Sequence, residues 1–199
     1  LLSPDNKKIV AKVSQENAVR IIDSTTGKNI LDNKSLTLFD LAFTNGGKEL
    51  LAVGHNSGNG GASTVLKRFD TNDLKKAKSM PLEFDFPHAA SFSPNREKVA
   101  LGYNGINHAV FDTESGKMLS VFEVEKGGRG FDVPYAAKPG EMSFSPDGSS
   151  VVSAHWDFRL KVYNAKTGDT EASLDEQFKG VPATSISYSK DGKFILTSY

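Results

Sequence analysis

Residues 142–169 read MSFSPDGSSVVSAHWDFRLKVYNAKTGD. A short alternating segment ends at Ser145-Pro146-Asp147-Gly148, residues that make a tight turn because Pro presets φ, Asp bonds nearby backbone and Gly accepts positive φ. An apolar run follows at 151–154, then a polar corner at His155-Trp156-Asp157, then a second alternating segment at 159–164. The stretch closes on a second turn, Lys166-Thr167-Gly168-Asp169. Three strands with two reversals are expected, with a fourth over 170–175.

The unit recurs. Its first turn appears as Ser3-Pro4-Asp5, Thr44-Asn45-Gly46, Ser93-Pro94-Asn95, Ser145-Pro146-Asp147 and Ser189-Lys190-Asp191. Starts at 3, 44, 93, 145 and 189 give spacings of 41, 49, 52 and 44 residues. A large apolar residue precedes each turn: Leu2, Phe43, Phe92, Phe144 and Tyr188. After each comes an apolar run, at 9–13, 50–53, 99–101, 151–154 and 194–196, of the kind that suits strands buried on both faces. The third strand ends in an apolar residue and a short polar one, as in Ile22-Asp23, Phe69-Asp70, Phe111-Asp112 and Tyr163-Asn164. A turn follows each of these pairs.

A period of roughly 40–50 residues carrying four short strands is the mark of a β-propeller blade. The columns resemble the WD-repeat family. The Ser-Pro-Asp-Gly turn, the corner at 155–159 and Tyr163-Asn164 in the Trp-Asp place carry that resemblance. The departures are definite. No third strand ends in Trp-Asp, no Gly-His dipeptide precedes a first strand, and the family's Asp-His-Ser-Trp hydrogen-bond tetrad is therefore absent. The resemblance implies an all-β fold, a β-propeller of four-stranded antiparallel blades. Blades are expected at about 1–36, 37–86, 87–125 and 141–182, with an incomplete one at 183–199 and a long connection at 126–140. Four and a half blades suggest part of a larger propeller of about seven; a five-bladed ring with an unfinished last blade is the alternative.

Composition narrows function. The 199 residues hold 24 basic and 24 acidic side chains, a balance that argues against general nucleic-acid binding, which needs clustered positive charge. No apolar run approaches a membrane span. Cysteine is absent, which removes disulfides, thiolate zinc sites and thiol catalysis. No Gly-x-Ser-x-Gly elbow or metal-ligand spacing appears, so no catalytic residue, metal ligand or cofactor is assigned. The Gly-rich segment 56–61 lacks a following Gly-Lys-Ser/Thr and reads as a hairpin loop. Lys75, Lys76 and Lys78 read as a solvated edge that discourages strand addition.

In a propeller of this type the loops between second and third strands share one face with the blade-to-blade connections. On that face or just beneath it are expected His55, His88, His108 and His155, together with Trp156, Tyr103, Arg20 and Arg159. The long connection adds Arg129, Phe131 and Tyr135, residue types that anchor interfaces. The expected function is a non-catalytic scaffold for protein–protein interaction, a subunit of a multiprotein complex. Its contacts are placed at Tyr103, His108, Arg129, Phe131, Tyr135, His155, Trp156 and Arg159. The expected partners are proteins, with neither nucleic acid nor membrane insertion. The rival is a secreted or periplasmic propeller that binds a small ligand or metal, or does redox or hydrolytic chemistry, at its axis. For the histidines the plainer role is a hydrogen bond to backbone at a strand end, and for Trp156 packing between blades.

Overall fold

The structure, a computed structural model, describes residues 1–13, 18–33, 36–56, 63–84, 87–103, 107–123, 141–154, 160–174 and 183–198. It is all-β. Among the described residues the only helical piece is a single 3-10 turn at Asn45–Gly47. The strands form five antiparallel sheets in chain order, each an open meander. The first joins β1 (Lys8–Val13), β2 (Ala18–Asp23) and β3 (Asn29–Asn33), and Leu2 adds a lone bridge to Ile9. The second joins β4 (Leu36–Thr44), β5 (Glu49–Asn56), β6 (Thr64–Asp70) and β7 (Asp73–Pro81). The third joins β8 (Ala89–Phe92), β9 (Lys98–Tyr103), β10 (Asn107–Asp112) and β11 (Met118–Glu123). The fourth joins β12 (Met142–Phe144), β13 (Ser150–Ala154), β14 (Leu160–Asn164) and β15 (Thr170–Leu174). The fifth pairs β16 (Ser185–Tyr188) with β17 (Ile195–Ser198).

Two compact units divide the chain, residues 1–86 and 87–199. In the first unit, Val10, Val19 and Ile21 of the first sheet pack with Leu38, Phe43, Leu50, Ala52, Val65, Phe69 and Leu74 of the second. In the second unit, β12 lies beside both β8 and β16, so the first strands of the third, fourth and fifth sheets are neighbours. The alternation of a strand then decides the packing. Val151 joins Ala100, Val110 and Phe122 of the third sheet, while its neighbour Val152 joins Ala183 and Ile186 of the fifth. Both valines are 0 % exposed, which is why the second strands read as unbroken apolar runs. Outside such sandwiches the same kind of residue is open: Phe194 is 67 % and Leu196 56 % exposed.

The turns repeat in atomic detail. The hydroxyls of Ser3, Ser145 and Ser189 each donate to the Asp two residues on, at 2.6 Å. Ser93 makes the same contact to Asn95 at 2.8 Å. Each serine oxygen also accepts the backbone N–H that opens the next strand, at 2.9 to 3.0 Å. The carboxylate accepts a backbone N–H as well, for example from Ser149 at 3.0 Å. These donors hold the Asp147 carboxyl down at about 2, with the Ser145 hydroxyl the largest cause. Asp5 and Asp191 are lowered for the same reason. After the third strands, Asp23 and Asp112 collect two backbone N–H groups and one hydroxyl each.

Gly168 fills a tighter role. Its φ is +84°, and a Cβ there would stand 2.2 Å from the carbonyl oxygen of Val121 in the third sheet. Nearby, the Ser120 hydroxyl donates to the Ala165 carbonyl at 2.9 Å. Gly27 occupies the matching turn of the first sheet at φ +68° with nothing within 4 Å of such a Cβ.

Two outcomes follow for stability. Gly168→Ala meets both the left-handed backbone and a carbonyl that must move, and should cost several kcal/mol, on the order of 3. Gly27→Ala meets only the backbone term and should cost about 1 kcal/mol. Denaturant titrations of the pair measure the difference. On acidification, the lowered Asp147 supports the fold fully above its ordinary value near 3.8 and loses that support as pH falls through about 2. Ser145→Ala raises the folded-state value toward the ordinary one, so it should move the acid unfolding limb to higher pH, as read by circular dichroism.

Candidate functional site

The best-defined polar constellation lies between the third and fourth sheets. His108 starts the third strand of its sheet, paired to Gly102 on one side and Phe122 on the other. Ser153 sits one residue before the end of the second strand of the fourth sheet. The two side chains, 45 residues apart in sequence, meet at 2.8 Å between His108 Nε2 and Ser153 Oγ. Both are buried, at 1 % and 0 % exposure.

The space that admits the ring comes from a missing side chain. A Cβ on Gly102 would stand 2.8 Å from His108 Cδ2 and 3.1 Å from the Met142 methyl. Beside the imidazole, the rings of Phe122 and Tyr163 stack with centroids 4.6 Å apart and planes 8° from parallel. The imidazole is roughly parallel to both, at 6.3 Å from Phe122 and 6.1 Å from Tyr163. Such stacking adds about 0.5–1.5 kcal/mol beyond area burial. Lys161, 6 % exposed, pairs directly with Ser153 across the strands and so shares its face. An imidazole and a hydroxyl thus meet in a sandwich closed to solvent. The contact joins the third sheet to the fourth.

His108, expected on the loop face or just beneath it, is 1 % exposed. It packs beneath the end of its sheet, because the parity of β10 turns it toward the fourth sheet, and its ring is not offered to a partner. What it does hold are two chain ends. Residues 104–106 enter β10 just before it, and residues 155–159 leave β13 just after Ser153 and Ala154. Tyr103 ends β9 opposite Asn107. His155, Trp156 and Arg159, and also Arg129, Phe131 and Tyr135, lie outside the described residues, as do residues 14–17, 57–62 and the connection 126–140.

The remaining histidines are placed separately. His55 pairs with Thr37 and Thr64 in the second sheet, and its ring meets Phe39 edge-on at 4.8 Å. His88 precedes β8 and donates its backbone N–H to the Gly102 carbonyl at 2.8 Å. Among the described residues, no group of three or more His, Cys, Asp or Glu could hold a metal ion, and no helix is long and apolar enough to cross a membrane. A buried cation stands in the second sheet, unannounced by any local pattern. Lys67, 8 % exposed, lies in β6 between Ala52 and Ser79, and burial pulls its ammonium below the ordinary lysine value.

No family model matches this chain, and no curated protein matches it.

The two members of the buried contact can be probed separately. Gly102→Ala pushes the imidazole off its seat and should destabilise the second unit by about 1–3 kcal/mol. Ser153→Ala deletes the hydroxyl alone and should cost about 1 kcal/mol. Thermal and denaturant unfolding give both values, and a loss in the glycine variant no larger than in the serine variant would contradict the close fit of the ring.

Proposed function

We propose that this chain is a non-catalytic β-propeller scaffold that presents loops to a protein partner. The WD-repeat resemblance and the exposed apolar residues Phe194, Leu196, Leu1 and Leu2 support a larger wheel, of about seven blades, in which further sheets cover those residues. One observation carries the display reading: the His108–Ser153 bond at 2.8 Å ties together two strand ends, each of which leads directly into a connection between second and third strands. Loops that leave a locked platform lose less conformational freedom on binding than loops on a mobile one. Tyr103, His155, Trp156 and Arg159 belong to these two connections or flank them, and Arg129, Phe131 and Tyr135 to the long link between the third and fourth sheets. Tyrosine, tryptophan and arginine are the side chains that dominate binding energy at protein interfaces. His108 acts below them as a positioning residue.

Partner recovery on immobilised native chain, against Trp156→Ala and Tyr135→Ala, tests the surface. Each folded variant should retain at most a tenth of the partner, the loss expected when an aromatic anchor worth about 1.4 kcal/mol or more is removed. Undiminished recovery by both would remove this surface from consideration. Intact mass of native material tests the larger wheel: a mass equal to that of these residues alone would count against it.

A further inference from the structure

An open groove of about 890 Å³ lies on the second sheet, and none of its lining residues is assigned to the loop surface. Its cationic lining comes from Lys48, Arg68, Lys76 and Lys78, and two asparagines, Asn45 and Asn72, stand at its turns. Only two carboxylates join them, Glu49 and Asp70. Asp73, drawn to Lys76, adds a third carboxylate and Lys8, which reaches Asn72, a fifth cation, so two positive charges remain unbalanced in a chain whose formal net charge is zero.

The backbone forces these cations together. Arg68 in β6 lies directly opposite Lys78 in β7, so two like charges share one face of adjacent strands, a pairing that opposes folding unless a counter-charge is near. Glu49 answers one of them, with its Oε2 3.0 Å from Arg68 Nη1. Lys76 is drawn toward Asp73 at 3.8 Å. Among the described residues, Lys48 and Lys78 pair with no carboxylate.

A hydrogen-bond donor is set beside them from another sheet. Lys8 of the first sheet donates its ammonium to Asn72 Oδ1 at 2.8 Å and to Thr71 Oγ1 at 3.0 Å. The amide oxygen of Asn72 is thereby occupied, and its NH2 group is the half left to meet a ligand. Thr71, fully buried, ties the same turn to the Gly47 carbonyl at 2.9 Å. The turn that carries Asn72 is anchored before any ligand arrives.

We propose that this groove is a binding site for a doubly charged phosphate group, with Lys48 and Lys78 as its charge partners and Asn72 as a hydrogen-bond donor. A dianion matches the unbalanced charge, and phosphate oxygens accept from ammonium and amide together. The site is built on the second sheet, with Lys8 of the first sheet holding Asn72 in place. It goes beyond the scaffold reading and shares no residue with it, so either can fail without the other.

Calorimetric titration at low ionic strength decides the matter, with inorganic phosphate and O-phosphoserine as separate probes. The native chain should bind one equivalent saturably, and added salt should weaken binding because the groove is open to solvent. Lys48→Gln/Lys78→Gln should lose at least tenfold in affinity, whereas Lys75→Gln, on the same strand but outside the groove, should change it less than twofold. Equal thermal midpoints of the variants certify that each is folded. Tighter binding of phosphoserine would assign the site to a phosphorylated side chain, and equal binding to free phosphate. Absence of saturable binding to the native chain, or equal loss in the double and the Lys75 variants, would overturn the proposal.

Discussion

Each inner sheet of this chain is apolar on both faces and must be covered on both. The second strands state the requirement most plainly, since Leu50, Leu51, Val99, Ala100, Val151 and Val152 are all 0 % exposed although consecutive residues point to opposite sides. At roughly 25 cal/mol per Å² of apolar surface, burial of one such side chain contributes about 1.5–3 kcal/mol, more than any single turn hydrogen bond. Stability in such an arrangement is close to a sum over sheets and the contacts between neighbours. The serine–aspartate turns do not supply that energy. They fix where each strand begins, and therefore which side chain faces which neighbour.

Two buried polar side chains between the third and fourth sheets meet partners there. His108 meets Ser153, and Ser120 meets the Ala165 carbonyl. Each bond spans two sheets, so each selects one sliding position among the many that apolar contact alone would permit. This is the physical sense in which the loops above are held: their roots are fixed by directional bonds, and the apolar core supplies the adhesion.

Much of this was legible in sequence because turn chemistry is local. Ser145, Pro146, Asp147 and Gly148 announce their reversal within four residues, and Asp112 with Ser115 does so within another four. The apolar runs gave the second strands for the same reason. The partnership of His108 with Ser153 was not legible, because it depends on strand parity and on which sheets become neighbours across 45 residues. The same holds for Lys8, which reaches Asn72 across 64 positions, and for the burial of Lys67. Gly168 was read as a turn former. Its closeness to the Val121 carbonyl could be seen only once the third and fourth sheets stood side by side.

That closeness bears on self-association. β11 is an outer strand, and it shows Leu119 at 47 % and Val121 at 48 % exposure, a greasy edge of the kind that recruits strands from other molecules. The turn around Gly168 rests on the middle of that strand, with Ala165 and Gly168 set against Ser120 and Val121. A foreign strand laid along β11 would have to evict it. The smallest residue in the turn thus works as a bolt on an otherwise adhesive rim.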